Sequence, residues 1–171
     1  MIREATAADT PRLVAMAERF LASSEYGVWM PSTAEQIAAV VATVMQVGVF
    51  YVAEVDSGAR VPGICISIDG EAWHAPGGCD VCRPVIVGML ALIEAEHPMS
   101  EETYCEEIAW WVEPEHRSGT AGPRLHAAGE AWARARGIRI MRMLSPAGSD
   151  LGVYYRRLGY VEVETAWLKR L

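Results

Sequence analysis

One stretch of the chain combines residue types that could hold an anion. Residues 110–125 read W-W-V-E-P-E-H-R-S-G-T-A-G-P-R-L, so a strand-like apolar run gives way to a helical pattern that begins near Ala121. The first N–H groups of a helix lack internal partners and carry partial positive charge. Gly119 and Gly122 would let an anion approach the backbone, and Arg117 adds a forked, permanently charged donor. This turn is therefore a candidate phosphate-binding site.

Two common phosphate-binding motifs do not fit this turn. The dinucleotide fingerprint needs the three glycines of G-x-G-x-x-G, whereas the turn has two glycines three positions apart. The nucleotide-triphosphate loop needs G-x-x-x-x-G-K-[ST], and no Lys follows here. On these residues alone, an ordinary connection between a strand and a helix also stays open.

The turn resembles motif A of the GNAT superfamily of N-acetyltransferases, in which [R/Q]-x-x-G-x-[G/A] follows V-x-P-x-x. The matching positions are Val112, Pro114, Arg117, Gly122 and Leu125. Thr120 departs from the pattern because the family usually has its middle glycine there, and Gly119 lies one position early. Residues 155–160, Y-R-R-L-G-Y, resemble the family motif Y-x-x-x-G-[F/Y]. The form W-W-V-x-P-E-H-R is similar to that of small bacterial and phage-type members.

The resemblance implies acetyl-coenzyme A as co-substrate and transfer of its acetyl group to a primary amine, by direct attack within a ternary complex. The implied cofactor-binding residues are Trp111, Val112, Arg117, Ser118, Gly119, Thr120, Ala121 and Gly122. Backbone N–H groups of residues 117–122 would hold the pyrophosphate, and the backbone of Val112 would pair with the pantetheine arm. A backbone N–H near Trp111 and Val112 is the expected donor to the tetrahedral oxyanion.

Two catalytic side chains follow from the same resemblance. Glu107 lies five residues before Val112, where many family members carry a strand Glu, and would act as a general base through water. It could equally be one acidic residue of a solvated edge. Tyr155 matches the motif tyrosine, whose hydroxyl would protonate the departing thiolate. That position also suits packing on the buried face of a helix, and Tyr154 is the alternative acid.

The acceptor side of the site is predicted between the first two helices. The loop of residues 23–31 contains Tyr26 and Trp29, whose rings could flank an amine by cation–π contact or serve packing alone. Residues 85–116 carry eight acidic side chains and no Lys or Arg, whereas residues 117–157 carry eight Arg and two acidic side chains. This asymmetry suits a cationic substrate beside a polyanionic cofactor, or two solvated faces.

Length and pattern predict one acetyltransferase domain over residues 1–171. The expected fold class is α/β (α+β), a GNAT-like mixed central sheet of about six to seven strands flanked by about four helices. Predicted strands near the C-terminus span residues 138–144 and 160–168. Trp167 and Leu168 would be core or an interface, and a homodimer is a further expectation from the resemblance.

Charge and hydropathy exclude several partners. A net charge of −7 argues against nucleic acid. No apolar stretch is long enough to span a bilayer, and no signal peptide is evident at the start of the chain, so we expect no membrane partner and a cytoplasmic location.

Residues 56–84 are predicted to form an irregular insertion, in which 61–68 could be a strand and residues 71–83 are rich in Gly, Pro, Cys and Trp without a clear period. Cys79 and Cys82 form a C-x-x-C pair close to His74, which is a zinc-like grouping. A second closely spaced ligand pair is absent, so plain thiols are the alternative and no metal ligand is assigned. Two other function classes stay open: a non-catalytic acyl-coenzyme A binding or regulatory module, and a small zinc-binding interaction protein.

Overall fold

The computed structural model describes residues 1–56, 65–68, 71–74, 84–146 and 148–170, with the backbone alone for 65–68 and 71–74. The strands in this part of the chain are β1 (Ile2–Glu4), β2 (Gly48–Val55), β3 (Cys65–Ile68), β4 (Glu71–His74), β5 (Val85–Glu96), β6 (Thr103–Val112) and β7 (Met141–Arg142). The helices are α1 (Thr10–Ala22), α2 (Glu25–Trp29), α3 (Ala34–Val47), α4 (Ala121–Ala135) and α5 (Leu151–Arg157). Short 3-10 turns lie at Ala7–Asp9 and Pro114–His116.

Five strands form one mixed sheet in the order β1-β2-β5-β6-β7. Neighbouring strands are antiparallel except β6 and β7, which run parallel and pair through Cys105 with Met141 and Glu106 with Arg142. A mixed sheet with flanking helices confirms the predicted α/β class. The central sheet has five strands rather than six to seven, and the described residues contain five helices rather than about four.

Helices cover both faces of this sheet. Helices α1 and α3 pack on one face through buried side chains that include Leu13, Met16, Val41 and Val44. On the other face α4 packs through Leu125 against a second cluster that includes Leu90 and Leu92 of β5. Burying one such side chain contributes about 1.5–3 kcal/mol. Strand β5 is buried along most of its length because it lies in the centre of the sheet with a helix layer on each side.

Helix α4 lies close to the sheet at Gly129. A Cβ at this position would come within 2.7 Å of Leu92 Cδ1 and 2.8 Å of Leu90 Cδ2. Gly137 follows the end of the helix with a φ of +76°, a conformation that favours glycine. Because α4 begins directly after the turn that follows β6, this packing places the N-terminus of α4 at the end of the central strands.

The C-terminal part of the chain differs from the predicted strands. The strand expected at 138–144 is reduced to two residues, because β6 pairs with β7 only at its beginning. The strand expected at 160–168 is wrong, since residues 160–170 form no helix or strand. A strand needs a neighbour for its N–H and C=O groups, and none of the described strands pairs with this segment. Trp167 is 91% exposed, so it is not a core residue of this chain.

Two other segments contain more regular structure than the sequence predicts. The expected loop before α3 contains helix α2, whose first N–H groups are satisfied in part by the Ser24 hydroxyl, which accepts from Gly27 N–H at 3.2 Å. Within residues 56–84, β3 and β4 form an antiparallel hairpin. Strand β3 lies within the possible strand at 61–68, β4 was not expected, and the irregular insertion stays a prediction. Cys79 and Cys82 lie outside the described residues.

Candidate active site

Strand β6 has an open backbone edge beyond its short contact with β7. On the β5 side, Glu113 N–H donates to Val87 O at 2.8 Å. Since N–H and C=O groups of successive strand residues alternate between edges, the N–H of Val112 faces away from β5 and that of Trp111 faces towards it. No described strand covers Val112 on the outer edge. An extended ligand could therefore hydrogen-bond to β6 there as a neighbouring strand would.

A β-bulge marks the point at which this edge opens. In the β5–β6 register Leu92 pairs with Glu107 and Ala91 with Ala109, which leaves Ile108 as an extra residue in β6. A bulge bends its strand and changes the direction of the side chains that follow. Glu107 therefore lies where β6 leaves β7, and the later residues of β6 form the open edge.

The turn after β6 presents several free backbone donors. The N–H groups of Arg117 and Gly119 are used within the turn, by Pro114 O at 3.3 Å and His116 O at 3.2 Å. The N–H groups of Ser118, Thr120, Ala121 and Gly122 have no acceptor among the described residues. Donors at a helix N-terminus that point away from the protein form a binding site for phosphate.

Thr120 does not distort the turn, although the family usually has glycine at its position. Its φ of −92° and ψ of 0° are accessible to any residue. The glycine of the motif is therefore not required by the backbone conformation at this position.

Arg117 folds back onto the end of β6. Its Nε donates to Val112 O at 2.9 Å, and its guanidinium lies over the Trp111 ring at 4.4 Å from the centroid. The Val112 carbonyl already has this partner, which leaves the Val112 N–H as the available backbone group on the open edge. The Nη atoms of Arg117 have no partner among the described residues, so they could still reach an anion at the turn.

Glu107 is a buried carboxyl group at the point where the open edge of β6 begins. It is 5% exposed, and its Oε2 accepts from the Leu144 N–H at 2.9 Å. Burial raises its pKa to about 7, the Leu144 N–H opposes that rise, and the charge of Glu106 adds to it. The alternative that Glu107 belongs to a solvated edge does not agree with this burial. A carboxyl group with a pKa near neutrality can take up and release a proton at physiological pH.

Tyr155 bonds to the same residue as Glu107, Leu144, but to its carbonyl oxygen rather than its N–H. Its side chain is 6% exposed, and its hydroxyl donates to Leu144 O at 3.0 Å. Burial and the charge of Glu107 raise the pKa of Tyr155, so the phenol stays protonated at neutral pH. The tyrosine is thus both a core residue and a neighbour of the candidate base. Burial also raises the pKa of the neighbouring Tyr154.

An aromatic cluster between α4 and α5 supports these side chains. Its rings are those of Trp110, His126, Tyr154, Tyr155 and Tyr160, with neighbouring centroids 5.5–6.4 Å apart. His126 is buried and bonds through Nε2 to Tyr160 Oη at 2.9 Å, and burial lowers its pKa. Trp110 Nε1 is buried without an acceptor among the described residues. Neither Trp110 nor His126 has a role predicted from the sequence, in which the doubled tryptophan at 110–111 was the available signal.

A charged group on the other face anchors α1 to the end of β6. Glu113 is buried and accepts from Arg12 at 2.9 Å, Arg19 at 2.6 Å and Trp111 Nε1 at 3.3 Å. Burial would raise its pKa, but the hydrogen bonds from Arg19 and Trp111 outweigh that effect and lower it. Glu113 therefore has a structural role: its carboxylate holds α1, the helix that precedes the predicted acceptor residues of α2.

The two predicted acceptor aromatics lie on α2 at the surface. Tyr26 and Trp29 are 49% and 38% exposed. Trp29 already has a cation over its ring: the guanidinium carbon of Arg170 lies 5.3 Å from the centroid, and Arg170 also donates to Val28 O at 3.4 Å. Among the described residues, neither aromatic hydrogen-bonds or stacks with Glu107, Tyr155 or the turn. An amine at Trp29 would have to displace Arg170.

Part of the predicted charge asymmetry is neutralised within the chain. Arg139 pairs with Glu102 at 3.0 Å and Arg142 with Glu106 at 3.3 Å, so the basic half binds the acidic half directly. These pairs are at the surface and contribute little stability. The positive charge near the turn therefore comes from its backbone N–H groups, from Arg117 and from Arg124, which lines the same cavity as Gly119, Thr120 and Ala121.

The open edge of β6 leads into a helix N-terminus that can bind an anion. This combination is typical of proteins that bind an elongated, phosphorylated ligand. The chain belongs to the acetyltransferase (GNAT) family, whose model matches residues 48–160. Its co-substrate is acetyl-coenzyme A. The free N–H groups of the turn, the open edge at Val112 and the unpaired Trp110 donor fit such a ligand.

Known structures with this fold are distant in sequence. A structure of AAC(6')-Iy in complex with the bisubstrate analog CoA-S-monomethyl-acetylneamine is 15% identical with a TM-score of 0.65, over 100% of this chain and 97% of that one. The aminoglycoside 6'-N-acetyltransferase AAC(6')-IG from Acinetobacter haemolyticus is 13% identical with a TM-score of 0.61, over 100% and 99%. An acetyltransferase from Trypanosoma brucei is 17% identical with a TM-score of 0.58, over 100% and 99%.

No curated protein matches the sequence significantly. Among the described residues, none of the helices has both the length and the apolar character needed to cross a membrane.

Proposed function

We propose that this protein transfers the acetyl group of acetyl-coenzyme A to a primary amine by direct attack in a ternary complex. The observation that carries the proposal is that Glu107 and Tyr155 bond to the N–H and to the C=O of one residue, Leu144, beside the open edge of β6. The solved complex of AAC(6')-Iy with a bisubstrate analog supports an amine as the acceptor class. Peptide N-termini, lysine side chains, polyamines and amino sugars all remain candidates.

Glu107 would act as the general base. An alkylamine has a pKa of about 10.4, so the ammonium must lose a proton before its nitrogen can attack. A carboxylate whose pKa is about 7 can accept that proton through a bridging water at neutral pH. The amine nitrogen then forms a bond to the acetyl carbon, and the bond from that carbon to sulfur breaks. The second proton lost by the nitrogen replaces, through solvent, the one that the departing sulfur takes up.

The remaining groups would stabilise the charges that develop. The Val112 N–H, on the open edge, is the better donor to the oxyanion than the Trp111 N–H, which is turned towards β5. The Tyr155 hydroxyl would turn from Leu144 O to the departing sulfur and supply its proton. Residues 117–122, together with Trp111 and Val112, would hold the co-substrate, and Tyr26 and Trp29 would border the acceptor.

Calorimetric titration followed by a transfer assay tests this function. We expect the purified protein to bind acetyl-coenzyme A but neither NAD nor ATP, and to release free thiol when a suitable amine from a mixed panel is added. Binding without turnover on any amine would favour the non-catalytic module. Absence of binding would contradict the proposal at its first step.

Replacement of Arg117 by Ala should weaken binding of acetyl-coenzyme A about 10- to 100-fold, because a hydrogen bond to a charged group contributes about 1.5–3 kcal/mol. The change also frees Val112 O from its bond to Arg117 Nε. The matched control is Arg139→Ala, which removes a surface arginine that pairs with Glu102. Calorimetry should show unchanged affinity for the control, and an equal loss in both variants would indicate a non-specific charge effect.

We also propose a cytoplasmic homodimer. The buried free thiol of Cys105 suits a reducing compartment. The extended segment after α5 exposes Val161, Val163 and Trp167, and it has no strand partner among the described residues. A second copy could cover these side chains by strand pairing. Light scattering on the purified protein should give twice the mass of one chain, and a monomer at high concentration would contradict this proposal.

A further inference from the structure

An unpaired buried donor lies beside the phosphate-binding turn. Trp110 Nε1 is buried and has no hydrogen-bond acceptor among the described residues. Its neighbour in β6 does not share this feature, since Trp111 Nε1 donates to Glu113 Oε2 at 3.3 Å. Buried donors in folded proteins are nearly always satisfied by protein, water or ligand. The Trp110 N–H therefore calls for an acceptor that the described chain does not supply.

The position of the indole ring is defined by α4. A Cβ at Gly122 would lie 3.5 Å from Cζ2 and 4.0 Å from Cε2 of Trp110, and Cε2 is the ring atom bonded to Nε1. The His126 ring, one turn further along α4, lies 5.7 Å from the Trp110 ring. The edge of the indole that carries Nε1 is thus beside the first turn of α4.

The polar groups of the surrounding rings bond elsewhere. His126 Nε2 is paired with Tyr160 Oη at 2.9 Å, and the Tyr155 hydroxyl donates to Leu144 O at 3.0 Å. These rings pack against Trp110 without providing an acceptor for its N–H. A ligand oxygen at the first turn of α4 would provide one.

We propose that Trp110 donates its indole N–H to an oxygen of the coenzyme A pyrophosphate. This inference rests on the proposed binding of acetyl-coenzyme A at the turn. Ala121 and Gly122 offer free backbone N–H groups on the same helical turn, so three neutral donors would surround one phosphate group. Trp110 has no cofactor-binding role assigned from the sequence motifs, and its indole N–H would extend the set of cofactor-binding residues.

The direct test is the indole N–H resonance of Trp110 in protein labelled with ¹⁵N. The chain has six tryptophans, and the Trp110 signal is the one lost in Trp110→Phe. We expect saturating acetyl-coenzyme A to shift this signal downfield and to slow its exchange with solvent. The fragment 3'-phosphoadenosine 5'-diphosphate, which carries the pyrophosphate, should reproduce the shift, whereas pantetheine, which has no phosphate, should not. A shift with pantetheine alone, or no shift despite bound acetyl-coenzyme A, would overturn the proposal.

Calorimetry gives an independent measure. Trp110→Phe should weaken acetyl-coenzyme A binding about tenfold, as expected for the loss of one hydrogen bond to a charged group. The control is Trp132→Phe, because Trp132 lies on the last turns of α4 with Arg136 over its ring at 4.9 Å. Equal affinity of Trp110→Phe and wild type would refute the role of the indole. Lack of binding by the wild type would instead refute the proposed function. If Trp110→Phe does not fold, the Trp110 resonance of the wild type is assigned through its connection to the backbone signals of residue 110, and its response to acetyl-coenzyme A decides the matter.

Discussion

Replacement of Glu107 by Gln is expected to lower kcat/KM for amine acetylation about 10²- to 10⁴-fold, the usual contribution of a general base. In the wild type, activity should rise with pH through the pKa of Glu107, which burial raises to about 7, because the base acts in its deprotonated form. The variant should lose this acidic limb. A pH–rate profile of both proteins at saturating acetyl-coenzyme A is the measurement.

The same substitution should not destabilise the fold at alkaline pH. Since the pKa of Glu107 is higher in the folded chain than its ordinary 4.5, the native state holds the proton more tightly than the unfolded state. Stability due to this group is therefore greatest below pH 4.5 and falls as the pH rises to about 7, by about 3 kcal/mol at 1.36 kcal/mol per pKa unit.

Gln keeps an oxygen acceptor for the Leu144 N–H and carries no charge to bury, so Glu107→Gln should be at least as stable as the wild type at pH 8. Thermal unfolding at pH 5 and pH 8 measures this difference. A variant that is inactive and also less stable at pH 8 would indicate that Glu107 serves structure rather than proton transfer. Retention of the acidic limb in an active variant would assign the base to another group.

Replacement of Tyr155 by Phe is expected to lower kcat about 10²-fold, the low end of the range for proton transfer by a positioned side chain. The affinity for acetyl-coenzyme A should change little, because Phe keeps the buried ring and loses only the hydroxyl that bonds to Leu144 O. Single-turnover kinetics and calorimetry separate the two quantities. The control is Tyr154→Phe, which alters the neighbouring ring of the same cluster.

Full activity of Tyr155→Phe would assign the acid to water or to Tyr154. Loss of affinity in proportion to kcat would indicate a packing role for Tyr155. Because Glu107 and Tyr155 bond to the N–H and the C=O of one residue, Leu144, their effects should not be additive in the double variant. Additive losses would mean that the two side chains act independently.

The sequence by itself determined the local features of this protein. Helix α4 begins at Ala121 as the motif predicts, and Gly137 and Gly159 follow α4 and α5 with φ of +76° and +88°. Tyr155 lies on the buried face of its helix, as its spacing indicates. These features depend on residues within a few positions of one another, where turn chemistry and helical periodicity are readable from the order of residues alone.

Tertiary structure decided what each candidate residue contacts. The hydrogen bonds of Glu107 and Tyr155 both go to Leu144, which is distant from Glu107 in the chain. Leu144 lies beside Glu107 because β7, just before it, pairs in parallel with β6. The contact of Arg170 with the Trp29 ring likewise joins residues from different parts of the fold, as does the position of the Trp110 ring beside Gly122. The segment 160–168 has the alternation of a strand, but none of the described strands pairs with it. Burial, hydrogen-bond partners and pKa values depend on neighbours brought from elsewhere in the chain, and the local pattern of residues does not specify those neighbours.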